Sequence, residues 1–469
     1  MNKYTQLLSD TVIFGIGNFT TKLIYFFLMP IYTLALTAEE FGLADLLNNS
    51  LFLLMPILTL SISDAVFRFA LDKDVNHREL FNVGIRILFG SYILLLLITT
   101  IIYNFFPYSY WWLFLLLYIV ESLKNLLAQF VRGLGMVRIF ALNGILGAVS
   151  LLIFTYVFLL KLHDGINGYL LAFVLSNVVS ILYLAQKVNI HVYLSLRLFD
   201  KKLLSTMILY SLPLVPNMLS WWLTNISSRY IIVGYCGLSI AGMFAAASKI
   251  PALINVVTSV FQQSWQYASV REYQRLENTD FYTKVFQYYS CGVFVLGSFI
   301  QFSLPFISRF ILKGDFYNAW TYSSLLLYSA MLGCFSVYFG TFYMVVKDNK
   351  RGMFSTLIGA IINVLLCFLL VPLIAVTGAL IANVVSYMVI IGMRIYDSRK
   401  YVDISIQWFL FVVSGGLVLL QSIVLTFSFD GNMWIAACIV LVLMFLHRSS
   451  FGNILKYLKK QKFYHNLIG

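Results

Sequence analysis

The stretch YSLPLVPNMLSWWLTNISSRYIIVGYCGLSIAGMFAAASKIP, residues 210–251, decides how the whole chain is read. Two apolar segments, roughly 206–232 and 240–266, are each long enough to cross a bilayer and meet at a short connection containing Gly237. Yet they carry Arg229 and Lys249. Ionisable groups at membrane depth are costly and face a bundle interior or a watery cavity. The stretch therefore reads as the floor of a polar chamber inside a membrane protein.

The rest of the chain agrees. Of 469 residues, 61% are hydrophobic and 11% charged, whereas a soluble domain carries about 25% charged residues. Apolar runs of about 20 residues recur from end to end, the signature of membrane-spanning helices. About fourteen spans are expected, near 10–35, 46–69, 82–104, 110–131, 138–160, 166–187, 206–232, 240–266, 284–307, 319–345, 353–373, 376–396, 407–428 and 432–448. The class is an all-α integral membrane protein.

Basic residues set the expected orientation. With the N-terminus inside, the inner loops receive residues such as Arg78, Arg132, Arg197, Lys201, Arg271, Lys350, Arg399 and the Lys456–Lys462 tail. The outer loops receive Lys161, Arg309 and Lys313 beside Glu39, Glu40, Asp164 and Asp430. That asymmetry predicts both termini in the cytoplasm, and it accounts for the formal net charge of +13 without nucleic acid. The five cysteines stand singly in mostly apolar segments and read as small core residues, with no metal spacing. The first apolar segment runs into an acidic loop, so no cleavable signal peptide is expected.

The two halves repeat one another. Phe41-Gly42-Leu43-Ala44 and Ala241-Gly242-Met243-Phe244 open the second and eighth spans. Asn177-Val-Val-Ser180 in the sixth span returns as Asn383-Val-Val-Ser386 in the twelfth, and Gly147-Ala148 is mirrored by Gly359-Ala360. Six spans preserve sidedness, so parallel repeats are expected, two six-helix lobes around a central cavity. The expected organisation is an N-terminal lobe at 1–190, a cytoplasmic linker at 191–205, a C-terminal lobe at 206–400, and two extra helices with a basic tail at 401–469.

Polar residues at spacings of three and four share helix faces: Asn18 with Lys22; Glu121, Asn125 and Arg132 with Lys124 beside them; Asn217, Ser220, Thr224 and Ser228; Ser248, Asn255 and Ser259. The plain reading of the Ser, Thr and Asn residues is interhelical hydrogen bonding. Asp64 and Arg68, four apart, read as a local ion pair, and Glu121 can neutralise Lys124. Lys22, Arg229 and Lys249 have no acidic residue within a turn of sequence, so they read as positive charge awaiting an anion, for which phosphate is a natural partner. Trp221, Trp222 and Trp265 lie near this chamber, where aromatic faces can pack on sugars; Trp and Tyr at span ends also serve as interface anchors. There is no nucleotide-binding loop, metal cluster or paired extramembrane carboxylates, so neither an enzyme nor a cofactor is expected. An ion gradient or the substrate's own gradient would drive transport.

These residues resemble those of the polysaccharide repeat-unit flippases (Wzx-type, O-antigen or capsule) of the multidrug/oligosaccharidyl-lipid/polysaccharide exporter superfamily. The opening SDTVIFGIGNFTTKLIYFFLMPIYTLALTAEEFGLADLL is similar to the family's first span and acidic-Phe-Gly turn, Arg132-Gly133 to its Arg-Gly loop, and residues 210–251 with FQQSWQYASVRE to its centre. Where members often carry Asp before the Arg of a Ser-Asp-Arg-Tyr string, this chain has Ser228. The resemblance implies alternating access in a bacterial cytoplasmic membrane, with a polyprenyl-diphosphate-linked oligosaccharide as substrate. It also implies other polysaccharide-assembly membrane proteins as partners and a proton or sodium ion as candidate coupling ion. Lys22, Lys124, Arg229 and Lys249 would then attract the diphosphate, with Asn18, Asn217, Trp221, Asn255 and Trp265 touching sugars and Asp64, Arg68 and Glu121 serving in gating or ion pairs. The nearest alternatives are a flippase for the peptidoglycan lipid precursor and a cation-coupled drug antiporter, the latter disfavoured by the predominance of basic groups.

Overall fold

Apolar runs bounded by polar loops must satisfy their backbone groups internally in lipid, and they do so as helices. The computed structural model describes residues 20–21, 23–72, 75–105, 110–195, 200–275, 279–346, 348–402, 404–427, 429 and 431–450. Among the described residues there are no strands. Among the described residues, twelve helices are long and apolar enough to span a bilayer, joined by two shorter apolar ones, Leu23–Ala35 and Asn432–Leu446.

In chain order the helices are α1 (Leu23–Ala35), α2 (Ala38–Leu58), α3 (Ile62–Ala70), α4 (His77–Phe105), α5 (Trp111–Gly133) and α6 (Val137–Thr155), which runs on as a π-helical turn over Tyr156–Lys161. Next come α7 (Gly165–Val188), α8 (Lys201–Ser211), α9 (Leu214–Cys236), α10 (Leu238–Ala247) and α11 (Ala252–Arg275). Then follow α12 (Thr279–Ile311), α13 (Trp320–Val345), α14 (Asn349–Ile374), α15 (Val376–Ser398), α16 (Trp408–Thr426) and α17 (Asn432–Leu446).

Three expected spans are interrupted. The second breaks between α2 and α3, where Leu60 and Ser61 take left-handed φ values of 53° and 51° just after Pro56. The seventh breaks between α8 and α9 at Pro213, and the eighth between α10 and α11 at Pro251. Proline has no N–H to continue the ladder, and its ring disfavours helix in the residue before it. The start of α2 is firmly set: Thr37 Oγ1 accepts from Glu40 N at 3.2 Å, and Glu40 Oε2 accepts from Thr37 N at 2.9 Å, a reciprocal cap.

The chain divides into two units within α9: unit 1 comprises Met1–Ile226 with Leu238–Gly242, and unit 2 comprises Ser227–Gly237 with Met243–Gly469. In unit 1 a core of α3, α4, α5 and α8 includes Phe81 and Phe130, whose ring centroids are 4.9 Å apart. The segment after α7 is docked rather than loose. Asn82 on α4 donates to Tyr193 O at 2.8 Å and accepts from Ser195 N at 2.9 Å.

Each unit repeats one helix contact. In unit 1 a Cβ on Gly147 would lie 2.9 Å from Ser180 Oγ, so α6 and α7 meet closely there. In unit 2 Ser386 Oγ donates to Gly359 O at 2.9 Å, joining α14 to α15 at the matching place. Without a hydrophobic force between helices in lipid, small residues that allow close backbone approach supply the packing. Within unit 1, Gly42 of α2 and Gly242 of α10 also meet backbone to backbone, and a Cβ on Gly42 would stand 2.9 Å from Gly242 N.

Candidate functional site

Polar groups inside each unit form separate networks. In unit 1, Glu121 and Lys124 share one face of α5, and Asn177 faces them from α7. Lys124 Nζ lies 2.6 Å from Glu121 Oε1 and donates to Asn177 Oδ1 at 3.0 Å, while Asn177 Nδ2 donates to Glu121 Oε2 at 2.7 Å. The ring is closed: the Lys124 charge is neutralised and both ends of the amide are used. Both charged side chains keep 24% exposure, enough to meet a ligand from one side.

A second polar point in unit 1 was not legible as a span residue. Asp45 on α2 is 4% exposed and accepts from Asn49 Nδ2 at 2.8 Å. Trp222 donates its indole N–H to Asn49 O at 3.1 Å, anchoring α9 on α2, so this Trp is structural. Its neighbour Trp221 is 55% exposed, and Asn217, one turn earlier, is exposed too. A single acid early in an apolar helix, followed by Asn48 and Asn49, is the signal that marks Asp45.

In unit 2 one of the expected basic residues reaches the turn that carries another. Arg229 Nη2 donates to Ser248 Oγ at 2.8 Å, and Ser248 is the neighbour of Lys249 in the turn where α10 gives way to α11. Arg229 thus reaches the turn that carries Lys249, at an interrupted helix, where irregular backbone at membrane depth is tolerated if it lines a cavity. Ser228, beside Arg229, points into a neutral chain instead. Its Oγ donates to Asn363 Oδ1 at 3.1 Å, and Asn363 Nδ2 donates to Asn383 Oδ1 at 3.1 Å. Asn255 on α11 is exposed.

Two expectations are corrected. Arg68 does not close on Asp64: it reaches forward to Asp72 at 2.7 Å, because that acid stands just past the end of α3, where the side chain is free to extend. Trp265 is 2% exposed and sits in a stack, 4.4 Å from the Tyr338 ring and flanked by Phe261 and Phe342, with its indole N–H given to Tyr338 O at 3.3 Å. A ring packed on its faces with its donor satisfied is core, not a sugar platform. Asn18 and Lys22 lie outside the described residues. Arg132, in the last turn of α5, lays its guanidinium 4.3 Å from the Phe67 ring.

Arg394 is a half-buried cation that the span pattern concealed. From α15 it spreads its donors over two helices, Nη1 to Ser336 O at 2.7 Å on α13, and Nη2 to Thr356 Oγ1 at 2.9 Å and Nε to Ser355 Oγ at 3.1 Å on α14. Its acceptors are neutral and its fork is filled, so it reads as a clamp of α13, α14 and α15. A basic residue two positions short of the end of the twelfth span was the available signal. Among the described residues no cluster of three or more His, Cys, Asp or Glu side chains could hold a metal.

Interrupted spans, repeated small-residue contacts and charge held inside the helices together define a polytopic membrane protein. The fold is similar to that of the lipid II flippase MurJ in its inward closed conformation, at 13% identity over 95% of this chain and 99% of that one, with a TM-score of 0.69. It is also similar to an inward-facing multidrug resistance MATE family transporter of the MOP superfamily (17% identity, 81% and 96% covered, TM-score 0.62). A MOP superfamily transporter from Pyrococcus furiosus is similar at 16% identity, with 84% and 96% covered and a TM-score of 0.53. Residues 7–265, more than half of the chain, match the family model described as polysaccharide biosynthesis protein, and the chain belongs to that family. No match was found among curated proteins.

Proposed function

We propose that this protein is a flippase for a polyprenyl-diphosphate-linked oligosaccharide repeat unit. It carries the unit from the cytoplasmic to the outer leaflet of a bacterial inner membrane by alternating access, for O-antigen, capsule or exopolysaccharide assembly. The observation that supports this reading is that Arg229 donates to Ser248, the residue before Lys249, at the break between α10 and α11, in a chain of the polysaccharide biosynthesis family. A diphosphate in transit needs charge-assisted donors to replace its water. Two cations at one interrupted helix can supply them. Lys22 and Lys124 are proposed to assist, with Asn217, Trp221 and Asn255 as sugar contacts.

The test is complementation in a strain lacking its own repeat-unit flippase and making the matching repeat unit. Wild-type protein should restore surface polysaccharide. Arg229→Ala and Lys249→Ala should each lower it, by roughly tenfold for the loss of one charge-assisted hydrogen bond, at unchanged protein level. Full export by a well-expressed Lys22→Ala/Lys249→Ala variant would sink the assignment of these lysines. Failure of the wild type in that matched host would turn the reading to peptidoglycan-precursor or drug export.

A further inference from the structure

Unit 2 contains a cavity of about 520 Å³ bounded by α12, α13, α15 and α16. That volume lies within the range of about 300–1,000 Å³ typical of small-ligand sites. Its walls are apolar, with Phe294, Met388 and Phe411 among them. Two further lining residues, Gly392 and Gly416, leave a channel: a Cβ built on either meets nothing within 4 Å. Val412, also on the lining, is 62% exposed, so the cavity opens outward along the helices.

One end differs. Arg399 follows the last residue of α15, and its guanidinium lies 5.6 Å from the ring of Trp408 at the start of α16. Trp408 and Tyr396 are 44% and 67% exposed and rim the same opening, as aromatic residues do at the level of lipid headgroups. Nearby cations are taken: Arg351 pairs with Asp348 at 3.0 Å and Lys400 with Asp397 at 3.2 Å. Among the described residues no carboxylate pairs with Arg399.

We propose that this cavity is a lipid site that takes an acyl chain of an anionic glycerophospholipid, with the phosphate held by Arg399. An apolar channel excludes a polar solute, because hydroxyls and charges would lose their hydration there. A neutral lipid would leave the guanidinium at the mouth without a counter-charge. A phospholipid from the leaflet that Arg399 faces supplies both parts, chain to cavity and phosphate to fork, and Arg is suited to bidentate phosphate contact. The limited volume suits an acyl chain better than a long polyprenyl tail. The site is independent of the Arg229–Lys249 region and of the transported substrate.

The test uses full-length purified protein in nanodiscs of phosphatidylcholine doped with phosphatidylglycerol, with retained lipid read by native mass spectrometry. Wild type should retain phosphatidylglycerol over phosphatidylcholine by roughly tenfold relative to the bulk ratio, the size expected for one hydrogen bond to a charged group. Arg399→Gln should still retain lipid but without headgroup preference. Gly416→Leu, which fills open space, should retain neither lipid while eluting as wild type does. If Gly416→Leu fails to fold, the Arg399→Gln comparison decides alone. Retention without headgroup preference in the wild type, no retained lipid at all, or displacement of the phospholipid by added polyprenyl phosphate would each overturn the proposal.

Discussion

Glu121, Lys124 and Asn177 close on each other at distances of 2.6–3.0 Å, so each charge is stabilised by the other. Removing one leaves an uncompensated charge at membrane depth, which is strongly destabilising, whereas removing both does not. Glu121→Gln and Lys124→Met should therefore each reduce folded protein in the membrane, and the double variant should recover most of it. If the double variant folds but still fails to export polysaccharide, Lys124 also meets the substrate; if it accumulates no better than the worse single, the ring is not a mutually compensating pair. Arg394 makes a different prediction. Its three donors reach α13 and α14 through neutral acceptors, and a hydrogen bond to a charged group is worth about 1.5–3 kcal/mol. Arg394→Leu should cost about 3 kcal/mol, read as a lowered midpoint of unfolding in detergent, and Arg394→Lys should not rescue it, since one ammonium cannot span three acceptors in that geometry. An unchanged midpoint in Arg394→Leu would show that the fork carries no stability.

The helices themselves are marked by interruptions. Prolines explain the breaks before α9 and before α11, where the missing N–H is visible in the sequence as Pro213 and Pro251. The break between α2 and α3 is different in kind, because Leu60 and Ser61 both sit in the left-handed region. A non-glycine residue there costs roughly 1–2 kcal/mol. Leu60→Gly should consequently raise thermal stability by about 1 kcal/mol; a drop of that size would mean that the Leu60 side chain contributes packing greater than its backbone strain. The α2–α10 contact in unit 1 has no such reserve, since Gly42 and Gly242 place backbone against backbone with no room for a side chain. In the sequence the two Gly strings read only as matching openings of the second and eighth spans. That the two glycines touch one another is a property of the folded chain.

Across the molecule, α16 and α17, expected from the sequence as extra helices, belong to the body of unit 2. Ser298 Oγ on α12 donates to Gln421 Oε1 at 2.6 Å, Gln421 Nε2 returns to Ser298 O at 3.1 Å, and Gln301 Nε2 donates to Ser422 Oγ at 2.6 Å. Hydrogen bonds between helices in lipid are worth about 0.6–2 kcal/mol each. Gln421→Leu should thus lower the midpoint of detergent unfolding by about 1–2 kcal/mol while leaving the protein in the membrane, and an unaltered midpoint would mean that these helices are held by packing alone. Membrane class and the run of apolar helices were set by the sequence itself, because the length of an apolar run is a one-dimensional property that lipid enforces locally. Partner choice was not. Asn177 and Asn383 occupy matched places, yet one completes a charged ring and the other ends a neutral chain from Ser228. Arg68 passes over Asp64 for Asp72, and Trp265 turns into a stack of rings. Which groups meet depends on which helix faces which, and helix packing, not local sequence, decides that.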